Sequence, residues 1–318
     1  MTTETQLWAW FLFGSGLLPQ RAKTLLAHWQ ERGLTLQAAL NQLPAQAQSL
    51  GLQPGEANHL RPPDNLPAIA ALRNDEPLYP IGLRHLPPKL RPALLFYTGA
   101  AWLLMRPIIY LAPDAIPPDV QEPMREAVSI LLGEYLLPAA FRNSAQAALL
   151  LEEMIDSEGE TLLFAREGVD RLVFSDQEQA LLEAGRLLIV TPLPPDAAAN
   201  PSWDSLLQQI ATAAAARRIV VDPASLQATG SEISPPTLLL TSSSLSEPLP
   251  QATVASTNPA DILAWIADVP EPALPTSTPG ATTTEPAPEP PSSPEEVLRT
   301  LEVGGRVPEA LRKKLLGQ

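Results

Sequence analysis

The apolar pattern over residues 5–61 predicts a small all-helical unit. The segment TQLWAWFLF is almost wholly apolar and is followed by a Gly-Ser-Gly break. Apolar side chains then recur at i, i+3, i+4 and i+7 from Ala22 to Trp29, which predicts an amphipathic helix between Pro19 and Gly33. A third helix, LTLQAALNQL, is predicted to end before Pro44, and a fourth segment, AQAQSLGL, follows.

A proline-rich segment, residues 76–92, predicts an ordered turn that leads into a buried strand. It contains Leu78-Tyr79-Pro80, Leu86-Pro87-Pro88 and Pro92, and the apolar run Ala93–Tyr97 then ends at Gly99. Proline fixes its own φ and biases the preceding residue toward extended geometry, so this segment is expected to be non-helical. A domain boundary is expected just before it, near residue 74.

Between residues 104 and 222, short apolar runs alternate with helical patterns, which predicts an α/β domain with a mainly parallel sheet. The intervening segments have the apolar period of helices that flank the sheet. The predicted strands are Pro107–Ala112, Glu134–Leu137, Thr161–Phe164, Leu187–Val190 and Ile219–Val221.

The end of the chain differs in composition from the rest. Residues 270–294 are rich in proline and threonine, which predicts a disordered linker. Residues 295–318 carry two short helical patterns, which predicts a helical tail that either docks on a protein, contacts phosphate weakly or is inert. The predicted units are therefore 1–74, 75–269, the linker 270–294 and the tail 295–318.

The distribution of charge bears on the choice of partner. The 318 residues include 21 basic and 35 acidic side chains, for a net charge of −14. The net charge is +1 over residues 1–74, −9 over 75–225, −7 over 226–293 and +1 over 294–318. Nucleic-acid binders normally carry a basic patch or domain, because phosphate neutralisation supplies most of their affinity. This distribution argues against a conventional DNA-binding domain.

Residue usage disfavours several other classes. Cysteine is absent, which excludes disulfides, thiolate zinc sites and cysteine nucleophiles and fits a cytoplasmic protein. The three histidines are widely spaced, so no metal site is expected. The sequence has neither a bilayer-spanning apolar run nor a good signal peptide, so we expect a cytoplasmic location without membrane association. No dinucleotide fingerprint or P-loop occurs, and no cofactor is expected.

Two stretches resemble a known family. The order of Tyr79-Pro80, Leu83, Pro87-Pro88 and a strand ending at Gly99 resembles the segment that leads into the core of the DNA-processing protein A family (DprA/Smf). Residues 159–195 are similar to a later stretch of that family in their glycine spacing and closing prolines. The resemblance implies a Rossmann-like sheet behind a small helix-hairpin-helix or SAM-like domain, closed by a helix in NPADILAWIADV.

The resemblance also implies a function. It implies single-stranded DNA binding, transfer of the strand to a RecA-type recombinase during uptake of transforming DNA, and a homodimer formed through the Rossmann-like domain, without catalysis. In the helical unit, the Gly-Ser-Gly turn resembles a helix-hairpin-helix in which Arg21 and Lys23 would contact phosphate. The alternative is that these glycines only permit a tight turn between helices.

The phosphate-binding motifs of the family are altered in this chain. Its Gly-Ser-Arg corresponds to Ala112-Pro113-Asp114, and its Arg-Asn-Arg corresponds to Asp204-Ser205-Leu206. A further glycine-containing loop corresponds to residues 138–145. There Arg142 remains as an anion contact, and Asn143 can adopt the left-handed geometry of a lost glycine.

The remaining candidates are arginines. A positive pocket built by Arg142, Arg166 and Arg217 at the carboxyl ends of the strands would favour DNA binding. Arg217 and Arg218 precede the last predicted strand and are interpreted as a solvated helix end, where cations are favoured. The candidate nucleic-acid residues are Arg142, Asn143, Arg166, Arg217, Arg218, Arg21 and Lys23.

Three hypotheses remain. The leading one is a DprA/Smf-like DNA-processing protein, although whether its DNA site survives is left open. The second is a degenerate homologue that acts as a protein-interaction scaffold without DNA binding, as the altered motifs and the acidic domain indicate. The third is an enzyme acting on a nucleotide, which rests only on the general habit of such sheets to bind ligands.

Overall fold

The computed structural model describes residues 3–267, with gaps at 54, 113, 222–225, 227–234 and 242–252. The predicted linker 270–294 and tail 295–318 lie outside the described residues. The α-helices are α1 (Glu4–Phe13), α2 (Pro19–Glu31), α3 (Leu36–Gln46), α4 (Ile81–Arg84), α5 (Gln121–Gly133), α6 (Ala145–Glu153), α7 (Asp176–Glu183), α8 (Asp204–Ala214) and α9 (Asp261–Ile266). The strands are β1 (Ala71–Arg73), β2 (Leu94–Gly99), β3 (Ile108–Ala112), β4 (Leu137–Phe141), β5 (Thr161–Phe164), β6 (Leu187–Thr191), β7 (Arg217–Val220), β8 (Thr237–Leu240) and β9 (Thr253–Ser256).

The strands form one sheet in the order β1-β2-β6-β5-β4-β3-β7-β8-β9. From β6 to β9 across the sheet every neighbouring pair is parallel, whereas β2 is antiparallel to β6 and β1 is antiparallel to β2. The chain builds outward from β3 to β6 and then returns to the other side of β3 with β7. The predicted Rossmann-like α/β fold is confirmed, and its topological switch point, where such sheets bind ligands, lies between β3 and β7.

Helices cover both faces of the sheet, so its central strands are apolar along their whole length. On one face, Val128 of α5, Leu150 of α6 and Ile262 of α9 belong to the same buried cluster as alternate residues of the strands. On the other face, the cluster contains Leu83 of α4 and Ile210 of α8. This double cover leaves the ends of the strands as the place where polar chemistry can gather.

The N-terminal helices form a third buried cluster that extends onto the antiparallel edge of the sheet. The cluster includes Trp29 of α2, Ala71 of β1 and Phe96 of β2. The rings of Phe13 and Phe96 lie 5.9 Å apart between centroids. Because β1 precedes residue 74 and pairs with β2, the helical unit and the sheet are continuous at this point.

Helix α3 and strand β4 both continue through a proline before which they were predicted to end. Helix α3 continues through Pro44 to Gln46, because Leu43 is buried and keeps the last turn packed. The fourth segment, AQAQSLGL, continues α3 briefly and then forms turns rather than a further helix.

Strand β4 begins at Leu137 instead of Glu134 and runs through Pro138 to Phe141. Proline is normally confined to the edge strands of a sheet because it lacks an N–H, whereas β4 lies between β5 and β3. Here the carbonyl oxygen of Pro138 still accepts a hydrogen bond from Thr161 Oγ1 at 2.8 Å.

The proline-rich segment is fastened by buried contacts. Tyr79 is buried and donates its hydroxyl to the carbonyl oxygen of Pro92 at 2.6 Å, which joins the two ends of the segment. The expectation of a wholly non-helical segment is wrong, because α4 forms one helical turn inside it. That turn packs closely on α8: a Cβ atom at Gly82 would lie 1.9 Å from the carbonyl oxygen of Ala213.

Replacing Gly82 should therefore destabilise the protein. We expect Gly82→Ala to lower the free energy of unfolding by about 1–3 kcal/mol, the usual cost of overpacking a close contact. Gly133→Ala is the matched control, because a Cβ at Gly133 would meet nothing within 4 Å. Urea unfolding of both variants checks this, and equal stability of the two would contradict the packing described for α4.

Candidate nucleic-acid interface

The loops at the carboxyl ends of the parallel strands form one edge of the sheet. Asp114 follows β3, Arg142 and Asn143 follow β4, and Arg166 follows β5. These strands are adjacent and parallel, so the residues that follow them lie together. Asp204, the first residue of α8, also reaches this edge, because Arg166 Nε lies 3.1 Å from its Oδ1. The structure thus brings Arg142 and Arg166 to the same edge, which we call the carboxyl-end edge.

Arg166 is held between two carboxylates. Its guanidinium donates to Asp114 and, from Nε, to Asp204, and it lies 4.2 Å from the centroid of the Phe141 ring. Asp114 and Asp204 are the residues that stand where the resembled family has Gly-Ser-Arg and Arg-Asn-Arg. Both positions therefore carry an aspartate in this chain, and both aspartates accept hydrogen bonds from Arg166.

Arg142 points into the protein and is 8% exposed. Its Nε and Nη2 atoms donate to the two carboxylate oxygens of Glu178 at 2.7 and 2.9 Å, in the bidentate geometry that suits a guanidinium. Nη2 also donates to the carbonyl of Val173, and Nη1 lies 3.6 Å from a carboxylate oxygen of Glu167. The guanidinium is thus satisfied inside the protein and does not face solvent.

Glu178 is a site residue that the sequence interpretation missed. It is the third residue of α7 and closes a capping box with Ser175, whose backbone N–H donates to the carboxylate at 2.9 Å. Burial raises the pKa of Glu178, but the hydrogen bonds from Arg142 and Ser175 outweigh burial and hold that pKa below its usual value. The Ser-Asp-Gln-Glu pattern at 175–178 is a sequence signal for this cap.

The start of α6 is also occupied by groups of the chain itself. Asn143 has φ of 66°, and no other non-glycine residue in the described part of the chain has a positive φ, so its predicted left-handed geometry is confirmed. Ser144 Oγ accepts the N–H of Ala147 at 3.0 Å, and the carbonyl of Asp114 accepts the N–H of Ala145 at 2.8 Å. These are among the N–H groups that a phosphate would use at a helix N-terminus.

Arg217 and Arg218 are not at a helix end, so that interpretation is wrong. They are the first two residues of β7, which begins earlier than predicted and runs parallel to β3. Arg217 therefore lies at the opposite end of the strands from Arg142 and Arg166, and the three arginines do not form the pocket that would have favoured DNA binding. Its guanidinium donates to the carbonyl of Trp265. Arg218 is buried, and burial lowers its pKa.

The two candidates in the helical unit differ from each other. Arg21 donates from Nε and Nη2 to Glu56 at 3.0 and 2.9 Å and from Nη2 to the carbonyl of Gly51 at 2.7 Å. Its charge is therefore neutralised. Lys23 instead donates to the carbonyl of Lys89 at 3.3 Å, and both burial and the charge of Arg91 lower the pKa of Lys23.

Neither a metal-holding cluster of side chains nor a membrane-spanning helix occurs among the described residues. No three His, Asp or Glu side chains among them gather closely enough to hold a metal ion. No helix among them is long and apolar enough to cross a membrane.

Known proteins are similar to this chain in structure rather than in sequence. No protein-family model and no curated protein matches it. The structure of DNA processing protein A (DprA) from Streptococcus pneumoniae superposes with a TM-score of 0.59 and 15% identity, over 83% of this chain and 98% of that one. The fold is that of DprA.

A second DprA structure, from Helicobacter pylori, is described as having a unique single-stranded DNA binding mode. It aligns with a TM-score of 0.49 and 14% identity, over 62% of this chain and 94% of that one. The fold assignment rests on the Streptococcus pneumoniae structure, and at 15% identity that similarity leaves the chemistry of the carboxyl-end edge to be judged from its own residues. There, two arginines are surrounded by four carboxylates: Asp114, Glu167, Glu178 and Asp204.

The Arg142–Glu178 pair should stabilise the fold in a pH-dependent way. The pKa of Glu178 is lower in the folded protein than in the unfolded chain, so the pair stabilises the fold at neutral pH. That stabilisation is lost as the pH falls through the folded-state pKa. We expect Glu178→Gln to lower the free energy of unfolding by about 3 kcal/mol at neutral pH, because it leaves Arg142 buried without its partner.

Urea unfolding at several pH values checks this expectation. The difference between Glu178→Gln and the unsubstituted protein should shrink as the pH falls below about 4.3, the usual pKa of a glutamate, and through the lower pKa of the folded state. Glu152→Gln is the control, because the carboxylate of Glu152 pairs with Arg125 at the surface and is 59% exposed. Equal stability of Glu178→Gln and the unsubstituted protein at neutral pH would contradict the role given to the pair.

Proposed function

We propose that this protein is a DNA-processing protein of the DprA type that binds single-stranded DNA and hands the strand to a RecA-type recombinase. The observation that carries the proposal is the extent of the shared fold, which covers 98% of the Streptococcus pneumoniae protein. The homodimer, the cytoplasmic location and the role in uptake of transforming DNA belong to the same proposal. They come from the sequence resemblance and not from the geometry of the site.

The geometry limits how this protein would hold DNA. A phosphate that approached the carboxyl-end edge would meet Asp114 and Asp204, which are 40% and 43% exposed, while Arg142 faces inward. Like charges repel, and the arginine between the two aspartates is already paired. The proposal therefore requires that the DNA backbone be held mainly by other residues.

Direct binding to single-stranded DNA tests the proposal. Fluorescence anisotropy with a labelled oligothymidylate should show binding at low salt, and the logarithm of the affinity should fall linearly with the logarithm of the salt concentration. This dependence is expected because cationic side chains displace counterions from the strand. Absence of binding at low salt would overturn the proposal.

A second function is favoured by one observation, the internal pairing of both arginines at the carboxyl-end edge. On this alternative the DprA fold serves as a protein-interaction scaffold without DNA binding. Affinity purification from its own cells should then recover a partner protein that stays bound after nuclease treatment. Recovery of the protein with DNA alone would count against the scaffold.

A further inference from the structure

The proline-rich segment carries a local charge that the average over the domain conceals. Residues 77–113 contain no Asp or Glu, whereas Arg84, Lys89 and Arg91 all lie in the proline-rich part of this stretch. The net charge of −9 over residues 75–225 therefore arises outside it. A basic run of this kind, in an otherwise acidic chain, is where an anion would be attracted.

The structure adds Lys23 of α2 to these three residues. Lys23 Nζ donates to the carbonyl of Lys89 at 3.3 Å, and the charge of Arg91 acts on Lys23. Burial raises the pKa of Tyr79, and the charges of Arg91 and Arg84 both oppose that rise, so these two arginines lie near the same phenol. We call Lys23, Arg84, Lys89 and Arg91 the basic surface.

The basic surface differs from the carboxyl-end edge in its partners. Among the described residues, none of its four side chains forms an ion pair with a carboxylate. The carboxylate of Glu76, the closest acid in sequence, lies 3.3 Å from Arg73 instead.

Three of the four cations of the basic surface, Lys23, Arg84 and Arg91, donate to backbone carbonyl groups. Arg84 donates to the carbonyl of Glu76, and Arg91 donates from Nη2 to the carbonyl of Leu86 at 3.0 Å. Carbonyl groups fix the position of a guanidinium without removing its charge, so these cations are preorganised for an external anion.

This arrangement fits a phosphodiester backbone in particular. Gathering cations without carboxylates is unfavourable in the free protein, and phosphates relieve that repulsion when they bind. Lys89 is exposed, as are the neighbouring Pro87 and Pro88, whereas Lys23, Arg84 and Arg91 are half-buried, so a strand would reach the basic surface at Lys89. Lysine and arginine contacts to phosphate position a strand without reading its sequence.

We propose that Lys23, Arg84, Lys89 and Arg91 hold the phosphodiester backbone of single-stranded DNA, and that they do so in place of the carboxyl-end edge. This inference rests on the proposed function and names the surface that carries it. It also accounts for how an acidic chain, with its edge arginines paired internally, still binds a polyanion.

The test compares oligothymidylate binding by four proteins: the unsubstituted protein, Lys23→Gln/Lys89→Gln, Arg32→Gln and Asp114→Asn. The salt slope is the steepness with which the logarithm of the affinity falls with the logarithm of the salt concentration. For single-stranded DNA each phosphate contact adds about 0.7 to it, which corresponds to about eightfold in affinity between 1 M and 50 mM salt. The double variant should therefore lose about eightfold for each lysine at 50 mM salt, and its slope should fall by about 1.4.

Two matched controls separate the surfaces. Arg32 is exposed, donates to the carbonyl of Ser49 and lies about 14 Å along α2 from Lys23, so Arg32→Gln should leave binding unchanged. Asp114→Asn removes a negative charge from the carboxyl-end edge and should also leave binding unchanged. A clear gain of affinity in Asp114→Asn would instead place the strand at that edge and overturn the inference.

The outcomes distinguish the two proposals. If the unsubstituted protein binds and the double variant binds equally well, the assignment of DNA binding to the basic surface is wrong, while the proposed function stands. If the unsubstituted protein fails to bind at 50 mM salt, both are wrong. Thermal unfolding confirms that each variant is folded, and the single variant Lys89→Gln, at an exposed side chain, replaces the double variant if that one is unstable.

Discussion

Arg166 lies between two carboxylates that come from distant parts of the chain, Asp114 after β3 and Asp204 at the start of α8. This one guanidinium joins three segments around the switch point of the sheet. Arg142 does the same one strand away, where it ties the end of β4 to α7 through Glu178. A parallel sheet concentrates polar groups at the carboxyl ends of its strands, and here those groups satisfy one another. The arginines of the carboxyl-end edge are therefore neutralised by carboxylates of the same chain, although the fold that positions them is intact.

The carboxyl-end edge and the basic surface differ in whether their cationic side chains are paired with carboxylates. The carboxyl-end edge has more acids than arginines, whereas in the basic surface Lys23, Arg84 and Arg91 donate to backbone carbonyl groups and Lys89 is exposed. None of these four side chains pairs with a carboxylate among the described residues. A polyanion is repelled by the first and attracted by the second. We infer that, in the proposed function, this fold binds DNA through the basic surface of the proline-rich segment rather than through the carboxyl-end edge.

Much of the fold could be predicted because hydrophobic periodicity is a local signal. The strand Thr161–Phe164 coincides with its prediction, and β3 differs by one residue. The errors arose where a residue's usual preference was overridden by packing, as at Pro138 inside β4. Arg217 and Arg218 were misplaced because an Arg-Arg pair before an apolar run is equally compatible with a helix end or a strand start.

The site was harder to predict because its partners are distant in sequence. The left-handed geometry of Asn143 could be predicted because the resembled family has a glycine at this position and asparagine tolerates that geometry. The pairing of Arg142 with Glu178 could not, since the two residues meet only when α7 has packed against β6 and β2 of the sheet. The basic surface was missed for a different reason: its charge was averaged over residues 75–225, which are acidic as a whole.

The most direct test of where a strand would lie is amide hydrogen exchange, measured with and without bound oligothymidylate. Our account predicts that protection on binding appears in the first turns of α2 and in residues 81–92. It predicts no added protection in the loops that follow β3, β4 and β5. Protection confined to those three loops, with no change in the proline-rich segment, would contradict the account.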